Sequence, residues 1–382
     1  MFLRTRSNYI MRFIDVVTSL NTYKFIYHSL KERGIKWTYN YIYYYMIYLD
    51  RNPFLTKLYY KFNKHPRFLE IEVTTRCNLK CKMCEHTYWK EPSCDMTFKQ
   101  FKSIIDQFPK LKWIGLTGIG ESFLHPDFFK MLKYVKDRGL YVEIFDNFFL
   151  LDKEKSKKLI DIGVDRIILS IDAATKETYE KIRIGANFDI VMRNVKDFLE
   201  LRKERKAFFP KFEFNYVITS LNIHEAEQFI DLIDSFEFKD LYAGKTINYA
   251  RMLHPFKEIE NLFVEVPKDL IDRLHKKAKK KGMLIGWNDD VIVDKLPMWQ
   301  CREWMMPFIF ATGHVIPCCA NNEANRREFQ KETSLGNVFE KSFNDIWYGE
   351  KYTKLKKLLS ENKIPKACSY CNIYNLKCAK KD

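Results

Sequence analysis

From residue 68 onward, short and almost wholly apolar runs alternate with stretches whose apolar positions recur every three or four residues. The runs 68–74, 111–117, 140–146, 166–171, 212–218 and 241–248 are predicted strands. Amphipathic helices are predicted near 97–108, 126–138, 152–162, 187–205 and 222–236. Six strand–helix repeats predict an α/β fold with a parallel sheet, either a partial (βα)6 TIM-like barrel or an open doubly wound sheet. In both, the loops after the strand C-terminal ends carry the chemistry.

The flanking segments follow other patterns. Residues 1–66 read as a helical extension, with Gly34 the only glycine and no proline before Pro53. Its stretch 37–49 holds six tyrosines beside Ile42, Met46 and Ile47, too short for a membrane span of about 20 apolar residues. Such a helix packs on the main domain or lies in a membrane interface as a peripheral contact. Residues 256–300 form a connecting region with a helix at 268–281, whose basic run suits a solvated face. A small cysteine-bearing α+β module occupies 301–382, opening with a hairpin at 308–316 that turns at Thr312-Gly313. The core barrel is thus expected at 67–255.

Charge and cysteine placement narrow the function classes. The chain has 382 residues and a net charge of +16. Residues 1–66 hold eleven Lys and Arg against three Asp and Glu, so half of the surplus sits in a sixth of the chain. The ten cysteines fall into an early group (77, 81, 84, 94) and a late one (301, 318, 319, 368, 371, 378), with none between. No signal peptide precedes them, and a disulfide-rich secreted domain would be short. Clustered metal ligands in a reducing, cytoplasmic compartment are expected instead.

Directly after the first predicted strand comes Thr75-Arg76-Cys77-Asn78-Leu79-Lys80-Cys81-Lys82-Met83-Cys84, a C-x3-C-x2-C array. Three thiolates on one loop can hold three corners of a 4Fe–4S cube and leave one iron open to a chelating ligand. A zinc site completed by Cys94 or His86 is the alternative reading.

The spacing, the flanking Thr-Arg-Cys-Asn-Leu-Lys-Cys and the place after the first barrel strand resemble the radical S-adenosylmethionine (radical SAM) superfamily. The resemblance implies a catalytic 4Fe–4S cluster on Cys77, Cys81 and Cys84, with S-adenosylmethionine chelated at the open iron. Thr117-Gly118-Ile119-Gly120-Glu121 is similar to the family's Gly-Gly-Glu motif. By that likeness Gly118, Gly120 and Glu121 receive the methionine ammonium, although Ile119 and Ser122 depart from the usual residues. Asp146-Asn147 stands where the family has Thr-Asn-Gly; Phe148 replaces the glycine, so Asn147 alone carries over. Leu169-Ser170-Ile171-Asp172 resembles the ribose-binding position, which assigns Ser170 and Asp172. Arg183, in Thr178-Tyr179-Glu180-Lys181-Ile182-Arg183, is implied as partner of the methionine carboxylate, with a surface arginine as the alternative. Met83 is expected near the adenine.

Cys301, Gly313, Cys318, Gly336-Asn337-Val338, Ile346-Trp347 and Cys368-x2-Cys371-x6-Cys378 are similar to the SPASM or twitch modules of some relatives, which bind auxiliary 4Fe–4S clusters. One auxiliary cluster on Cys301, Cys318, Cys368 and Cys371 is implied, with Cys319 and Cys378 as alternates. A zinc site on the same four thiolates remains open. Cys94 reads as a small packing residue.

These features imply an oxidoreductase-type enzyme that abstracts hydrogen from an organic substrate (sugar, peptide or lipid-linked), drawing electrons from a flavodoxin or ferredoxin. Peptide or glycan epimerisation and carbon–sulfur bond formation are the alternatives within the family. A zinc-bearing nucleic-acid-binding protein is the alternative from another class; the basic surplus lies away from the cysteines, so no nucleic-acid partner is expected.

Overall fold

The computed structural model describes residues 20–49, 53–62, 65–236, 246–252, 255–287, 301–319, 327–361, 363–371 and 380–381. Helices α1 (Leu20–Tyr44) and α2 (Pro53–Phe62) precede β1 (Phe68–Ile71). The alternation then runs α3 (Phe98–Asp106), β2 (Trp113–Leu116), α4 (Phe128–Asp137), β3 (Tyr141–Asp146), α5 (Lys153–Ile162) and β4 (Arg166–Ser170). It continues through α6 (Lys176–Ile182), α7 (Phe188–Glu204), β5 (Lys211–Ile218), α8 (Ala226–Asp234) and β6 (Thr246–Arg251). These six strands pair in parallel, each with the next. The sixth starts later than its apolar run because residues 237–245 lie outside the described set.

Two additions lengthen this sheet. Helix α9 (Lys268–Lys280) leads into β7 (Leu284–Trp287), which pairs in parallel with β6. At the opposite edge the expected hairpin forms from β8 (Phe308–Ile309) and β9 (His314–Ile316), turning through Gly313 at φ 84°. Strand β8 pairs in parallel with β1, and β9 pairs with β10 (Gly336–Asn337). The sheet order is β10-β9-β8-β1-β2-β3-β4-β5-β6-β7, a curved α/β sheet of the partial-barrel kind. Short helices α10 (Arg327–Glu332), α11 (Phe343–Trp347) and α12 (Glu350–Ser360) complete the C-terminal region. The basic run on α9 is solvated, with Lys277 and Lys281 paired to Asp231 on α8.

Strand side chains alternate faces, so each face has its own use. Leu69, Ile71, Ile114, Leu116, Val142, Ile144, Ile167 and Leu169 join the main core with Phe101, Met131, Leu159 and Phe198 of the helices. The first lumenal positions, Phe68, Trp113 and Tyr141, meet α1 instead. Tyr44 stacks on Trp113 at 5.2 Å between centroids, and Trp37 stacks on Tyr141 at 5.5 Å. The tyrosine-rich helix is therefore a packed aromatic plug at the strands' N-terminal end. Among the described residues no helix is long and apolar enough to cross a membrane.

One buried carboxylate fastens the plug. Asp165, just before β4, has no exposed side-chain surface and accepts from Arg33 Nε of α1 at 2.9 Å, from Lys136 Nζ and from the Val142 amide. Neutralising one member of a buried charge set strands the others. Asp165→Asn is expected to destabilise the chain by about 3 kcal/mol, read as a lowered midpoint in urea unfolding, whereas Lys133→Gln on the exposed side of α4 should leave the midpoint within about 0.5 kcal/mol.

Candidate active site

The cysteine loop is built by its neighbours rather than by regular structure of its own. Leaving β1, Thr74 forms an isolated bridge with Asp95, and Thr75 N donates to the Cys94 carbonyl at 2.9 Å. Arg76 holds Asp95 through both Nε (3.0 Å) and Nη2 (2.6 Å) and also donates to the Leu124 carbonyl. Lys80–Cys81 then pairs antiparallel with Arg183–Ile184, and a 3-10 turn follows at Glu85–Tyr88. Thr87 Oγ1 donates to the Cys81 carbonyl at 2.6 Å and Tyr88 OH to the Lys82 carbonyl at 2.9 Å. Buried Leu79 anchors the loop's middle.

This scaffold brings Cys77, Cys81 and Cys84 together at the C-terminal end of β1. Burial pushes the Cys84 thiol up to about 12, with the nearby Cys81 and Cys77 adding to it. Burial likewise pushes Cys77 up to about 11 and raises Cys81. Buried thiols this reluctant to ionise become thiolates when a cationic centre takes the place of their protons. A donor set of three thiols on one loop fits a cysteine-ligated iron–sulfur cluster. Among the described residues no three His, Cys, Asp or Glu side chains form a site for a single metal ion.

The structure shows what the glycines of the 117–121 loop accommodate. A Cβ on Gly118 would stand 2.5 Å from Cγ of Glu72, and one on Gly120 would stand 2.2 Å from the Thr74 carbonyl oxygen. The glycines thus let this loop nest against the β1 exit, where Glu121 N donates to the Arg76 carbonyl at 2.7 Å. Glu121 is buried and accepts from the amides of Phe123 and Asn147, both at 3.2 Å. Asp146 lies beside it; burial raises both carboxyls, and the neighbouring Glu121 raises Asp146 further.

Asn147 joins this set, its Nδ2 donating to Asn78 Oδ1 in the cysteine loop at 3.1 Å. Phe148 adopts the left-handed conformation, φ 59°, that glycine adopts freely. Its ring is fully buried edge-on against Phe198 and Phe212, which offsets the backbone cost.

Asp172 and Arg183 are turned on each other. Arg183 forms a buried ion pair with Asp172, donates through Nε to the Ile171 carbonyl at 3.2 Å and approaches Cys81 Sγ at 3.8 Å. Burial opposes its charge, but Asp172 and Cys81 outweigh that and hold its pKa above the ordinary arginine value. Arg183 is therefore no surface arginine. Ser170 and Met83 are half-buried, on the last residue of β4 and in the cysteine loop.

Sequence reasoning missed Glu72. Its carboxylate, fully buried, accepts from Ile119 N at 3.0 Å, from Ala311 N of the hairpin at 3.2 Å and from Arg327 Nη2 of α10 at 2.6 Å. The Arg327 guanidinium lies 3.6 Å from the Phe310 ring centroid. The signal was an acidic residue, the second after Glu70, at the end of an otherwise apolar run and one position beyond the strand.

In the C-terminal region burial raises Cys301 well above an ordinary thiol, with Cys371 and Cys368 contributing. Burial also pushes Cys368 up to about 12, and Cys371 adds to it. Cys318 is buried in the same core cluster, whereas Cys319 packs with Phe308, Phe310 and Ile316 on the other side of the hairpin. The two adjacent cysteines, just past β9, thus join different clusters. Tyr352 lies close to both Cys301 and Cys318, stacked on Trp347 at 4.1 Å. No disulfide joins the described cysteines. Cys94 backs the catalytic loop, its Sγ 3.8 Å from the Ala311 carbonyl. Cys378 lies outside the described residues.

The Radical SAM superfamily model matches residues 71–233, and the SPASM model, an iron–sulfur cluster-binding domain, matches residues 301–372. The chain is 28% identical over 333 residues to the tungsten-containing aldehyde ferredoxin oxidoreductase cofactor-modifying protein of Pyrococcus furiosus, spanning 80% of this chain and 87% of that one. It is 25% identical over 336 residues to the AdoMet-dependent heme synthase of Methanosarcina barkeri, spanning 82% and 90%. Streptococcus suis SuiB bound to S-adenosylmethionine superposes with a TM-score of 0.61 over 82% of this chain and 73% of that chain, at 16% identity. That last likeness speaks for the fold.

The nesting of Gly120 generates a prediction. Gly120→Ala must push the cysteine loop off its backbone contacts, so iron bound per chain after anaerobic reconstitution should fall by about four, while Lys133→Gln on the exposed side of α4 should keep its iron.

Proposed function

Because the chain belongs to the radical SAM superfamily and carries a C-terminal SPASM domain, we propose that this enzyme oxidises an organic substrate by hydrogen abstraction, with an auxiliary cluster taking the second electron. Its cofactors are 4Fe–4S clusters and S-adenosylmethionine. When bound and reduced, the first cluster with S-adenosylmethionine supplies a 5′-deoxyadenosyl radical able to remove a hydrogen atom from the substrate. One electron from a flavodoxin- or ferredoxin-type donor enters at that cleavage. Loss of a hydrogen atom, a proton and an electron then leaves the substrate oxidised by two electrons.

The observation that carries this reading is the trio of half-buried thiols on one loop at the β1 exit. Cys77, Cys81 and Cys84 would hold three irons and leave the fourth open. Arg183 then acts as a positioning residue, its guanidinium against the Cys81 sulfur and anchored by Asp172. The neighbouring Glu121 and Asp146 carboxyls, both raised by burial, suit the methionine ammonium, whose charge would offset theirs. Asn147, Ser170 and Met83 border the same strand ends and are read as contacts to the nucleoside, with Gly118 and Gly120 shaping the loop beside them.

For the auxiliary cluster we read Cys301, Cys318, Cys368 and Cys371 as ligands, with Cys319 excluded by the face it occupies. Four protein ligands leave no iron open for substrate, which favours electron transfer over substrate binding.

With S-adenosylmethionine and a low-potential reductant, the wild-type enzyme should release 5′-deoxyadenosine, and Cys77→Ala, Cys81→Ala and Cys84→Ala should release none. Release by any of the three at the wild-type rate would overturn the assignment. Cys368→Ala should still cleave S-adenosylmethionine while losing about four irons per chain.

A further inference from the structure

A cavity of about 430 Å³ opens at the end of the barrel opposite the cysteine loop, between α1 and the residues that lead into β1, β2 and β3. Its charge is lopsided. Lys36, Arg67, Lys110, Lys112 and Arg138 line it against a single carboxylate, Asp106. That carboxylate is already engaged by Arg138, Lys102 and the Tyr134 hydroxyl. Among the described residues no carboxylate pairs with Lys36, Arg67, Lys110 or Lys112.

Lys112 is the telling member. The residue is only 8% exposed, yet among the described residues its Nζ meets only neutral groups. It donates to Asn40 Oδ1 at 2.9 Å and lies over the rings of Tyr39 (4.3 Å) and Tyr43 (5.0 Å). Asn40 is itself tied to the Gly139 carbonyl at 3.0 Å, so it presents its oxygen to Lys112 in a fixed direction. Burial pushes the ammonium down to about 8, and the nearby Arg67 and Lys36 push the same way. An ammonium held with no counter-charge beside two further cations is costly unless an anion joins it.

We propose that this cavity is a binding site for a phosphate group, separate from the radical chemistry and independent of the reaction proposed above. Four unpaired cations converging on a pocket of this volume suit a compact, multiply charged oxyanion, with Arg67 supplying a planar donor fork. The same phosphate chemistry comes from two sources, an anionic lipid headgroup or a soluble phosphate ester. Beside the cavity α1 shows an exposed apolar stripe at Ile35, Tyr39 and Ile42, spaced i, i+4, i+7, whose Tyr39 also covers Lys112. Such a stripe next to a basic pocket suits a membrane interface, so both sources enter the test.

The full-length holoenzyme would be titrated with inorganic pyrophosphate by calorimetry. In parallel it would be sedimented with phosphatidylcholine vesicles with and without phosphatidic acid, at 0.15 M salt. The proposal expects binding in at least one arm, and binding to phosphatidic acid vesicles without pyrophosphate binding identifies the headgroup as the source. Arg67→Gln and Lys110→Gln, at the cavity rim, should each weaken that binding about fivefold, and Lys112→Gln by about tenfold or more. The paired variant Lys279→Gln, Lys280→Gln removes the same kind of charge from exposed α9 and should bind as wild type. Release of 5′-deoxyadenosine should be unchanged in all, which checks folding. Absence of binding in both arms, or equal loss in the α9 variant, would overturn the site.

Discussion

Glu72 sits one residue past β1 with its carboxylate out of water, and three separate parts of the chain meet on it. The Ile119 amide brings in the glycine loop, the Ala311 amide brings in the C-terminal hairpin, and Arg327 supplies the compensating charge from α10. A buried carboxylate is tolerated only when donors surround it, so these partners are obligatory. The cysteine loop begins a few residues further on, at Cys77. The thiols, the carboxyl pair at Glu121 and the auxiliary region are thus held in register through one side chain.

The barrel has two ends with opposite chemistry. At the strand C-terminal ends the arginines are paired, Arg183 with Asp172 and Arg76 with Asp95, and Glu121 accepts from backbone amides. At the other end aromatic rings of α1 seal the lumen, and above them Arg166 bridges Glu143 and Glu213 inside the barrel. Arg33 and Lys36 of α1 accordingly lie at this end, away from the cysteine loop. A reactive radical is best generated where water and stray polar groups are excluded, and the plug closes one route to it.

Much of this was legible in the chain. The thiol array is local, since spacing alone sets three thiols on one loop, and the six parallel strands announced themselves as short, mainly apolar runs between amphipathic helices. Strand β7 was not legible: Leu284–Trp287 is short, contains Gly286 and is a strand only because β6 offers it an edge. Cys318 and Cys319 join different side-chain clusters, a tertiary fact that their adjacency in sequence hides. The mutual grip of Asp172 and Arg183 was hidden for a related reason. Each looks ligand-like in its own motif, and only the fold reveals that they neutralise one another. Phe148 is the reverse case, where an apparent departure from a glycine pattern keeps the glycine backbone and adds a buried ring.

The hairpin strand β8 occupies the hydrogen-bonding edge of β1 that the barrel strands leave vacant. Its removal would uncover a row of unpaired amides and carbonyls along the strand leading to the thiols, a ready template for sticking to another molecule. The C-terminal hairpin thus doubles as an edge cover, and a cut at residue 300 would leave that edge open to association.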